Sequence, residues 1–414
     1  MASRSLITLY DFENKQAIFP DVHRSFKFCT LVFGGAAVNV PAGDFVFFAR
    51  NMDHLAEPDR HIPLSGDDLL LLNPNTRTCP IFRSKRDAEL TKAVYRRVPI
   101  LVDEPAGERG NPWGIRFFTM FHQTNDAELF HTREQLQELG FIHKGNRWTR
   151  KKQAHLPLYE AKMVQAYDHR AASVVIDPEN WMRQGQTAET SLTSHQDPDF
   201  VVQPRWWVAE AEVVRSLGDR HEYGFIGFKD ITSPTNERTM IAAAIPWSAV
   251  TNHFPLILTT QTPRRTACLL ANLNSFVLDY VARQKIGGVT LNFFLVKQFA
   301  ILPPAAYDQR CPWSKRQSLG TWISDRVLKL TCTSNDMRPF AEACGMAPPV
   351  HKWLPDERAE LLAELDAAFF ILYGISRADA DYILSTFTGT QRRDESDVGY
   401  FRTAKLVLAT IDAM

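Results

Sequence analysis

The segment from residue 155 to residue 170 constrains the fold of this chain more than any other stretch. Pro157 biases the preceding Leu156 away from helical dihedral angles, so the segment begins as extended chain. Apolar and aromatic residues then alternate with polar ones, which are Glu160, Lys162, Gln165, Asp168 and Arg170. This alternation is typical of a strand with one buried face, and it predicts β-structure in the middle of the chain.

Basic residues are concentrated in this segment and just before it. Residues 147–152 read Arg-Trp-Thr-Arg-Lys-Lys. Between residues 141 and 170 there are seven positive side chains and two negative ones, although the whole chain is balanced at 47 and 47. Such a local excess can meet a phosphate backbone. A solvated turn before a half-buried strand is the commoner explanation of a charge run, so composition leaves both interpretations open.

The composition of the chain is that of an ordinary globular protein, with 45% hydrophobic and 23% charged residues. Its 414 residues are enough for about two to four domains. A pI of about 7.2 excludes a generally polycationic nucleic-acid coat, so any DNA contact must come from local patches. No apolar run is long enough for a membrane span, and the first residues lack a signal-peptide core. We therefore expect a cytoplasmic protein without a membrane partner.

The six cysteines show no Cys-x-x-Cys pair. In a cytoplasmic chain of this size they are expected to be buried thiols, with a structural zinc site as the weaker alternative. No metal site is predicted from them. They are Cys29, Cys79, Cys268, Cys311, Cys332 and Cys344.

Strands and helices are both predicted, in an order that indicates the α+β class. Three strands, at residues 4–12, 26–33 and 44–49, leave little room for crossover helices and predict an antiparallel ribbon. Later strands are expected at residues 205–208, 223–231, 236–246 and 289–298. The strand at residues 223–231 contains Gly224 and Gly227, which suits close backbone approach.

Helical spacing dominates the last part of the chain. One long helix is predicted at residues 265–285, where apolar residues share one face and Gly287 and Gly288 follow. Shorter helices are expected at residues 322–331, 338–344, 356–373 and 377–387. The polar stretch at residues 180–199 is expected to be a flexible surface insertion.

The amino-acid sequence of the central segment resembles that of a known protein family. Residues 157–163 read Pro-Leu-Tyr-Glu-Ala-Lys-Met, and residues 167–170 read Tyr-Asp-His-Arg. This resembles the signature of large adenine-specific DNA methyltransferases of bacterial restriction–modification and phage-defence systems, including single-chain enzymes of type IIG. Ala161 stands where the family usually has Gly, and Tyr167 where it often has Phe. In that family the segment opens the target-recognition region, which reads DNA.

Other stretches carry the same resemblance along nearly the whole chain. Residues 9–14, Leu-Tyr-Asp-Phe-Glu-Asn, resemble the last strands of the family's catalytic domain. Arg238-Thr239, followed by Ile245-Pro246 and Asn252, resembles its β-rich specificity region. The resemblance implies terminal strands of a truncated methyltransferase domain at residues 1–50 and a mixed α/β connecting region at 51–140. It further implies a DNA target-recognition domain at 141–312 and a helical C-terminal unit at 313–414.

The chain lacks the two motifs that methyl transfer needs in this family. No Gly-rich loop follows a strand and opens a helix, and Asn73-Pro74 continues as Asn-Thr rather than as the Pro-Tyr of the amino-binding tetrapeptide. We therefore predict no catalytic residue and no cofactor in this chain. S-adenosylmethionine is implied for the complete family enzyme, with this chain as a fragment or subunit that works beside a separate catalytic chain.

The expected partner is double-stranded DNA. Lys and Arg would hold phosphates or guanine edges, whereas Thr and Asn would hydrogen-bond base edges or backbone. The predicted DNA-binding residues are Lys162, His169, Arg170, Lys229, Arg238, Thr239, Asn252 and Lys297.

Two other classes of function stay open from the sequence. Glu160-Ala161-Lys162 matches a Glu-x-Lys half-motif of magnesium-dependent nucleases, with Asp126 as an upstream carboxylate, but this half-motif is common by chance. The other class is a catalytically silent interaction protein that docks a partner methyltransferase or helicase.

Overall fold

A computed structural model describes residues 4–177, 185–218, 223–347 and 349–414. Several small mixed or antiparallel sheets occupy the first two thirds of the chain, and the C-terminal region is helical. The predicted α+β class is therefore confirmed. Among the described residues, no helix combines the length and apolar character that a membrane crossing requires.

The described strands are short except at the N-terminus and at the centre. They are β1 (Leu6–Glu13), β2 (Lys27–Phe33), β3 (Ala42–Ala49), β4 (Ile62–Ser65), β5 (Arg116–Phe118), β6 (Phe130–His131), β7 (Ile142–Lys144), β8 (Arg147–Arg150), β9 (Gln153–Tyr159), β10 (Ala172–Val174), β11 (Thr187–Glu189), β12 (Trp207–Ala209), β13 (Phe225–Phe228), β14 (Ala242–Ile245), β15 (Ala249–Val250) and β16 (Leu256–Leu258).

The described helices are concentrated after residue 262. They are α1 (Gly66–Leu72), α2 (Lys85–Arg97), α3 (Arg133–Glu138), α4 (Leu192–Gln196), α5 (Glu210–Leu217), α6 (Pro263–Asn274), α7 (Phe276–Arg283), α8 (Phe293–Val296), α9 (Leu319–Thr331), α10 (Arg338–Ala343), α11 (Pro355–Leu372), α12 (Arg377–Ser385), α13 (Thr388–Val398) and α14 (Arg402–Ala413).

The N-terminal sheet has the strand order β2-β1-β3-β4. β1 pairs antiparallel with β2 but parallel with β3, so the prediction of an antiparallel ribbon is wrong for β3. Parallel neighbours need a long crossover connection, and here β2 with its two flanking loops provides it without an α-helix. β2 is left at the edge of the sheet, and nearly all of its residues are exposed.

Two further sheets surround the central segment. β9 lies inside a sheet of order β6-β12-β9-β8-β7, and β15 adds a parallel partner to it. The second sheet has the order β14-β13-β16-β5. β9 ends at Tyr159 and is followed by a single 3₁₀ turn, Ala161–Met163, so the alternation beyond Glu160 does not mark one continuous strand. A turn closes there, because the Gln165 and Asp168 backbones bond each other.

The helix predicted at residues 265–285 is two helices. α6 ends at Asn274 and α7 begins at Phe276, because Ser275 adopts an extended conformation and its hydroxyl caps α7 by accepting from the Leu278 N–H. The strand predicted at residues 289–298 is wrong, since residues 293–296 form the short helix α8. Only Ala242–Ile245 of the strand predicted at residues 236–246 is extended.

The four C-terminal helices predicted from spacing are confirmed as α9 to α12, and the structure adds α13 and α14. The polar stretch at residues 180–199 contains β11 and α4, so it is not an irregular insertion over those residues. Residues 180–184 of it lie outside the described part of the chain.

One hydrophobic core joins parts of the chain that are far apart in sequence. It contains Leu6 and Phe45 of the N-terminal sheet, the buried faces of α6 and α7, and the C-terminal helices as far as Val407. A second core lies between β9, β12 and the sheet of β13, β14 and β16. The segment that leads from β13 to β14 carries three of the residues predicted to bind DNA, Lys229, Arg238 and Thr239.

The cysteine prediction holds for four thiols. Cys268, Cys311, Cys332 and Cys344 are buried, as expected. Cys79 is half-buried and Cys29 is exposed on β2, so the prediction is wrong for Cys29 because β2 is an open edge.

Candidate functional site

One basic exposed surface is the hairpin formed by β7 and β8, here called the basic hairpin (residues 142–152). Its strands pair antiparallel from Ile142–Thr149 to Lys144–Arg147. The turn between them holds Gly145 at φ +60, a conformation that glycine adopts without strain. The side chain of Trp148 is buried against Trp207, which anchors the hairpin to the sheet. The hairpin therefore forms one edge of the sheet, with β7 as the outer strand and β8 paired with β9 on its other side.

Most of the positive charge on the basic hairpin is free of carboxylate partners. Lys144, Lys151 and Lys152 are exposed, and no described residue forms an ion pair or side-chain hydrogen bond with their ammonium groups. Arg150 donates to the Leu139 carbonyl at 2.6 Å, and Arg147 Nη1 lies 3.8 Å from Glu210 Oε1. Three ammonium groups thus remain available to an external anion.

Lys162 and Asn252 belong to one hydrogen-bond network. Lys162 Nζ lies 2.9 Å from Glu160 Oε2 and donates to the Gly185 carbonyl at 2.6 Å. Gln123 donates its side-chain amide to the same Glu160 oxygen at 3.1 Å, and its backbone N–H donates to Asn252 Oδ1 at 3.4 Å. Since 35% of the Lys162 side chain is exposed, it can still reach solvent, but its charge is already paired.

His169 and Arg170 are enclosed by protein. Arg170 is fully buried and donates to the carbonyls of Asp197 and Phe200 through Nη1, and to those of His195 and Thr333 through Nη2, at 2.9–3.2 Å. His169 is also buried, and its Nε2 lies 3.2 Å from Asp336 Oδ1.

These contacts correct the DNA-binding prediction for both residues, because their side chains do not reach the surface. Thr239 is corrected in the same way: it is fully buried, and its N–H donates to the Asp279 carboxylate at 3.0 Å. A sequence shows the charge of a side chain but not the side to which it points.

Lys229 and Arg238 lie together on the wall of a cavity of about 800 Å³. The cavity is bounded by residues 165–167 of the central segment, by the segment between β13 and β14, and by α11, α13 and α14. The structure therefore brings residues 165–167 of the central segment close to Lys229, although about 60 residues separate them in sequence. We call this space the interlayer cavity.

The interlayer cavity is lined by equal numbers of positive and negative side chains. The basic ones are Lys229, Arg238, Arg393 and Arg402, and the acidic ones are Glu237, Asp366, Asp394 and Asp397.

The arginines of the interlayer cavity are paired within the protein. Arg238 Nε lies 2.7 Å from Asp279 Oδ2, and its guanidinium covers the Phe276 ring at 4.0 Å. Arg393 contacts Glu237 at 2.6 Å and Asp394 at 3.2 Å. Arg402 Nη2 lies 2.8 Å from the carboxylate of Asp356.

Two other groups of the interlayer cavity have strongly shifted pKa values. Lys229 is half-buried, and burial lowers the pKa of its ammonium to about 8. Burial raises the pKa of Asp366 to about 6, even though Arg238 acts in the opposite direction. Groups with such shifts inside a concave site are candidates for ligand contact.

Asp366 was not predicted as a site residue. It lies within the run Leu365-Asp366-Ala367-Ala368-Phe369 on α11, whose other members are buried and apolar. A carboxylate in an otherwise apolar run is the signal that could have drawn attention to it. Lys297, which was predicted, lies apart from the cavity lining and pairs with Glu104 at 2.6 Å.

Within the described ranges, no group of three or more His, Cys, Asp or Glu side chains is arranged to hold a metal ion. Asp126, the upstream carboxylate of the nuclease hypothesis, accepts the His122 N–H at 2.7 Å and so shapes its own loop. No family model matches this chain, and no curated protein matches it.

Proposed function

We propose that this chain binds double-stranded DNA through the basic hairpin and acts as the target-recognition part of an adenine-specific DNA methyltransferase. The observation that carries the proposal is the set of three exposed, unpaired ammonium groups of Lys144, Lys151 and Lys152 at the two turns that flank β8, on the edge of the sheet. Lys144 lies beside the turn at one end of β8, and Lys151 and Lys152 form the turn at its other end, so the sheet edge can meet phosphates at two points along a duplex. The methyltransferase role itself is supported by the sequence resemblance alone.

Within this proposal the methyl transfer is supplied by another chain or segment. The Gly-rich loop and the amino-binding tetrapeptide are absent from the sequence, so this chain would contribute DNA recognition and S-adenosylmethionine would bind elsewhere. Lys162 and Asn252 are only partly buried and belong to one hydrogen-bond network, so they remain candidates for direct contact.

A salt titration of affinity for a mixed-sequence duplex tests the proposal. The test variant is Lys144→Ala/Lys151→Ala/Lys152→Ala, and the matched control is Lys85→Ala/Lys315→Ala/Lys405→Ala, which removes the same charge from exposed positions elsewhere. Each phosphate contact contributes about 0.9 to the slope of log affinity against log salt, so the hairpin variant should lose up to about 2.7 of that slope. The control should keep the wild-type slope.

A second function, docking of a protein partner, is favoured by the open edge of the N-terminal sheet. Leu31, Val32 and Phe33 on β2 are between 44% and 62% exposed, and such apolar edge strands are sites for strand pairing with another chain. The titration separates the two functions. Equal binding by the hairpin variant and the control would make docking the better proposal.

A further inference from the structure

The interlayer cavity has the size and lining of a small-molecule site. Its volume of about 800 Å³ lies within the range of roughly 300–1,000 Å³ typical of ligand pockets. Apolar side chains from both sides contribute to the wall, including Ile231 and Ile241 near Lys229 and Leu362 and Leu406 on the helices. Such walls favour an organic molecule over a bare ion, because apolar surface is then buried.

Among the described basic side chains on this wall, Lys229 is the one without a partner inside the protein. Other buried lysines of this chain have partners: Lys92 lies 2.7 Å from Glu89, and Lys285 donates to Asn73 and to the Leu72 carbonyl. No described residue accepts a hydrogen bond from Lys229 Nζ or forms an ion pair with it. A half-buried, unpaired ammonium is costly, and an anion placed beside it would remove that cost.

Asp366 offers the opposite chemistry in the same cavity. One of its carboxylate oxygens accepts the Phe276 N–H at 2.7 Å, and no described group donates to the other oxygen. The carboxylate is held on α11, where its neighbours in sequence are buried, so its position is fixed. It can therefore accept a hydrogen bond from an amino group of a ligand.

We propose that the interlayer cavity binds a mononucleotide, with its phosphate on Lys229 and an exocyclic amino group of its base on Asp366. A lysine is a common point-charge partner of phosphate. A purine or cytosine base supplies the amino donor, and the apolar wall covers the faces of the ring. This site is separate from the basic hairpin and does not depend on DNA binding.

Calorimetric titration of the full chain tests the site. The probes are adenosine monophosphate, uridine monophosphate, adenosine, inorganic phosphate and citrate. We expect adenosine monophosphate to bind at least tenfold more tightly than adenosine, which lacks the anion, and more tightly than uridine monophosphate, which lacks the amino group. Inorganic phosphate should bind more weakly than adenosine monophosphate, because it cannot use the apolar wall.

Three variants and one control variant assign the contacts. Lys229→Met should weaken binding of adenosine monophosphate at least tenfold, and Lys229→Arg should restore most of it. Lys315→Met removes an exposed lysine outside the cavity lining and should leave binding of adenosine monophosphate unchanged. Asp366→Asn should abolish the preference for the adenine base over uracil, because an amide NH₂ then faces the amino group.

Several results would overturn the site. They are no binding of either mononucleotide, equal binding of adenosine and its monophosphate, or unchanged binding by Lys229→Met. Tight, Lys229-dependent binding of citrate with none of the mononucleotides would also refute the mononucleotide and leave a carboxylate site in its place. If Lys229→Met fails to fold, the comparison of the monophosphate with adenosine and the Lys229→Arg variant still decide.

Discussion

At the scale of single residues, burial separates the charges that build this protein from those that face a ligand. Arg170 is fully buried and donates four hydrogen bonds to backbone carbonyls, so it connects residues 195–200 to Thr333. Lys229 has a similar charge but no partner among the described residues. Asp366 lies between these cases, since one of its oxygens is used inside the protein and the other is not.

Asp366 makes stability depend on pH in a defined direction. Its pKa rises from 3.8 to about 6 on folding, so the folded state holds the proton more tightly. The stabilisation is complete below pH 3.8 and is lost as the pH rises through about 6. We expect Asp366→Asn to raise the free energy of unfolding above about pH 6 by up to ~3 kcal/mol, at about 1.4 kcal/mol per pKa unit, and to have little effect below pH 3.8.

Urea unfolding at acidic and at neutral pH measures this difference. Asp21→Asn is the control, because Asp21 is exposed and its loss should leave the pH profile unchanged. A variant that is less stable than the wild type at both pH values would show that the hydrogen bond to the Phe276 N–H outweighs the charge.

The sequence identified some of the cavity residues and not others. Lys229 and Arg238 were predicted from a motif, and both line the cavity. Asp366 was not, because its role depends on how α11 packs on a segment more than a hundred residues away. His169 and Arg170 were predicted to bind DNA, but both side chains are buried. The sequence of a β-rich region does not distinguish a basic side chain that is buried from one that is exposed.

At the scale of elements, the glycines in and before β13 allow neighbouring chain segments to pack closely against it. A Cβ atom on Gly227 would lie 2.5 Å from the Phe254 ring and 2.8 Å from the Pro255 carbonyl oxygen. Gly224, just before the strand, has φ +119 and would place a Cβ 2.4 Å from the Ile245 oxygen. The predicted close backbone approach is therefore confirmed at both positions.

Gly227→Ala should destabilise the protein by about 1–3 kcal/mol, because neither the Phe254 ring nor the strand backbone can move without disturbing the core. Chemical denaturation gives the free energy of unfolding. Gly287→Ala is the matched control, since a Cβ there meets nothing within 4 Å and should change stability by less than about 0.5 kcal/mol. Equal effects of the two substitutions would contradict the packing of β13.

Element boundaries were less predictable than element types. The break between α6 and α7 was not predicted, because the helical spacing of apolar residues continues across it. The break depends on the extended conformation of the single residue Ser275, which this spacing does not reveal. α8 was mistaken for a strand because Leu291 and Leu295 fall in a short apolar run, and such runs fit a buried helical turn equally well.

At the scale of the whole molecule, the C-terminal helices share a core with the rest of the chain. Trp322, Phe369 and Phe387 belong to the same buried cluster as α6, α7 and the N-terminal sheet. Apolar spacing predicts that each helix exists, but it does not tell which elements share a core. That information arises only when distant segments meet.

A fragment ending at residue 312 should therefore lose cooperative unfolding. Its α6 and α7 would expose the faces that α9 and α11 cover, and the buried area lost cannot be replaced. Thermal unfolding followed by near-ultraviolet circular dichroism is the measurement. A chain that lacks only α14, whose one fully buried side chain is Val407, is the control and should retain a transition. A sharp transition in the shorter fragment would mean that residues 1–312 fold on their own.

The position of Arg170 also bears on how the protein is made. Its last hydrogen-bond partner, Thr333, follows it by 163 residues. At a synthesis rate of roughly 5–20 residues per second, the ribosome needs about 8–33 s to produce that partner after Arg170 has been added. The carbonyls of His195, Asp197 and Phe200 are made within 30 residues of Arg170, but the contact that ties this arginine to the C-terminal region forms only after Thr333 has emerged.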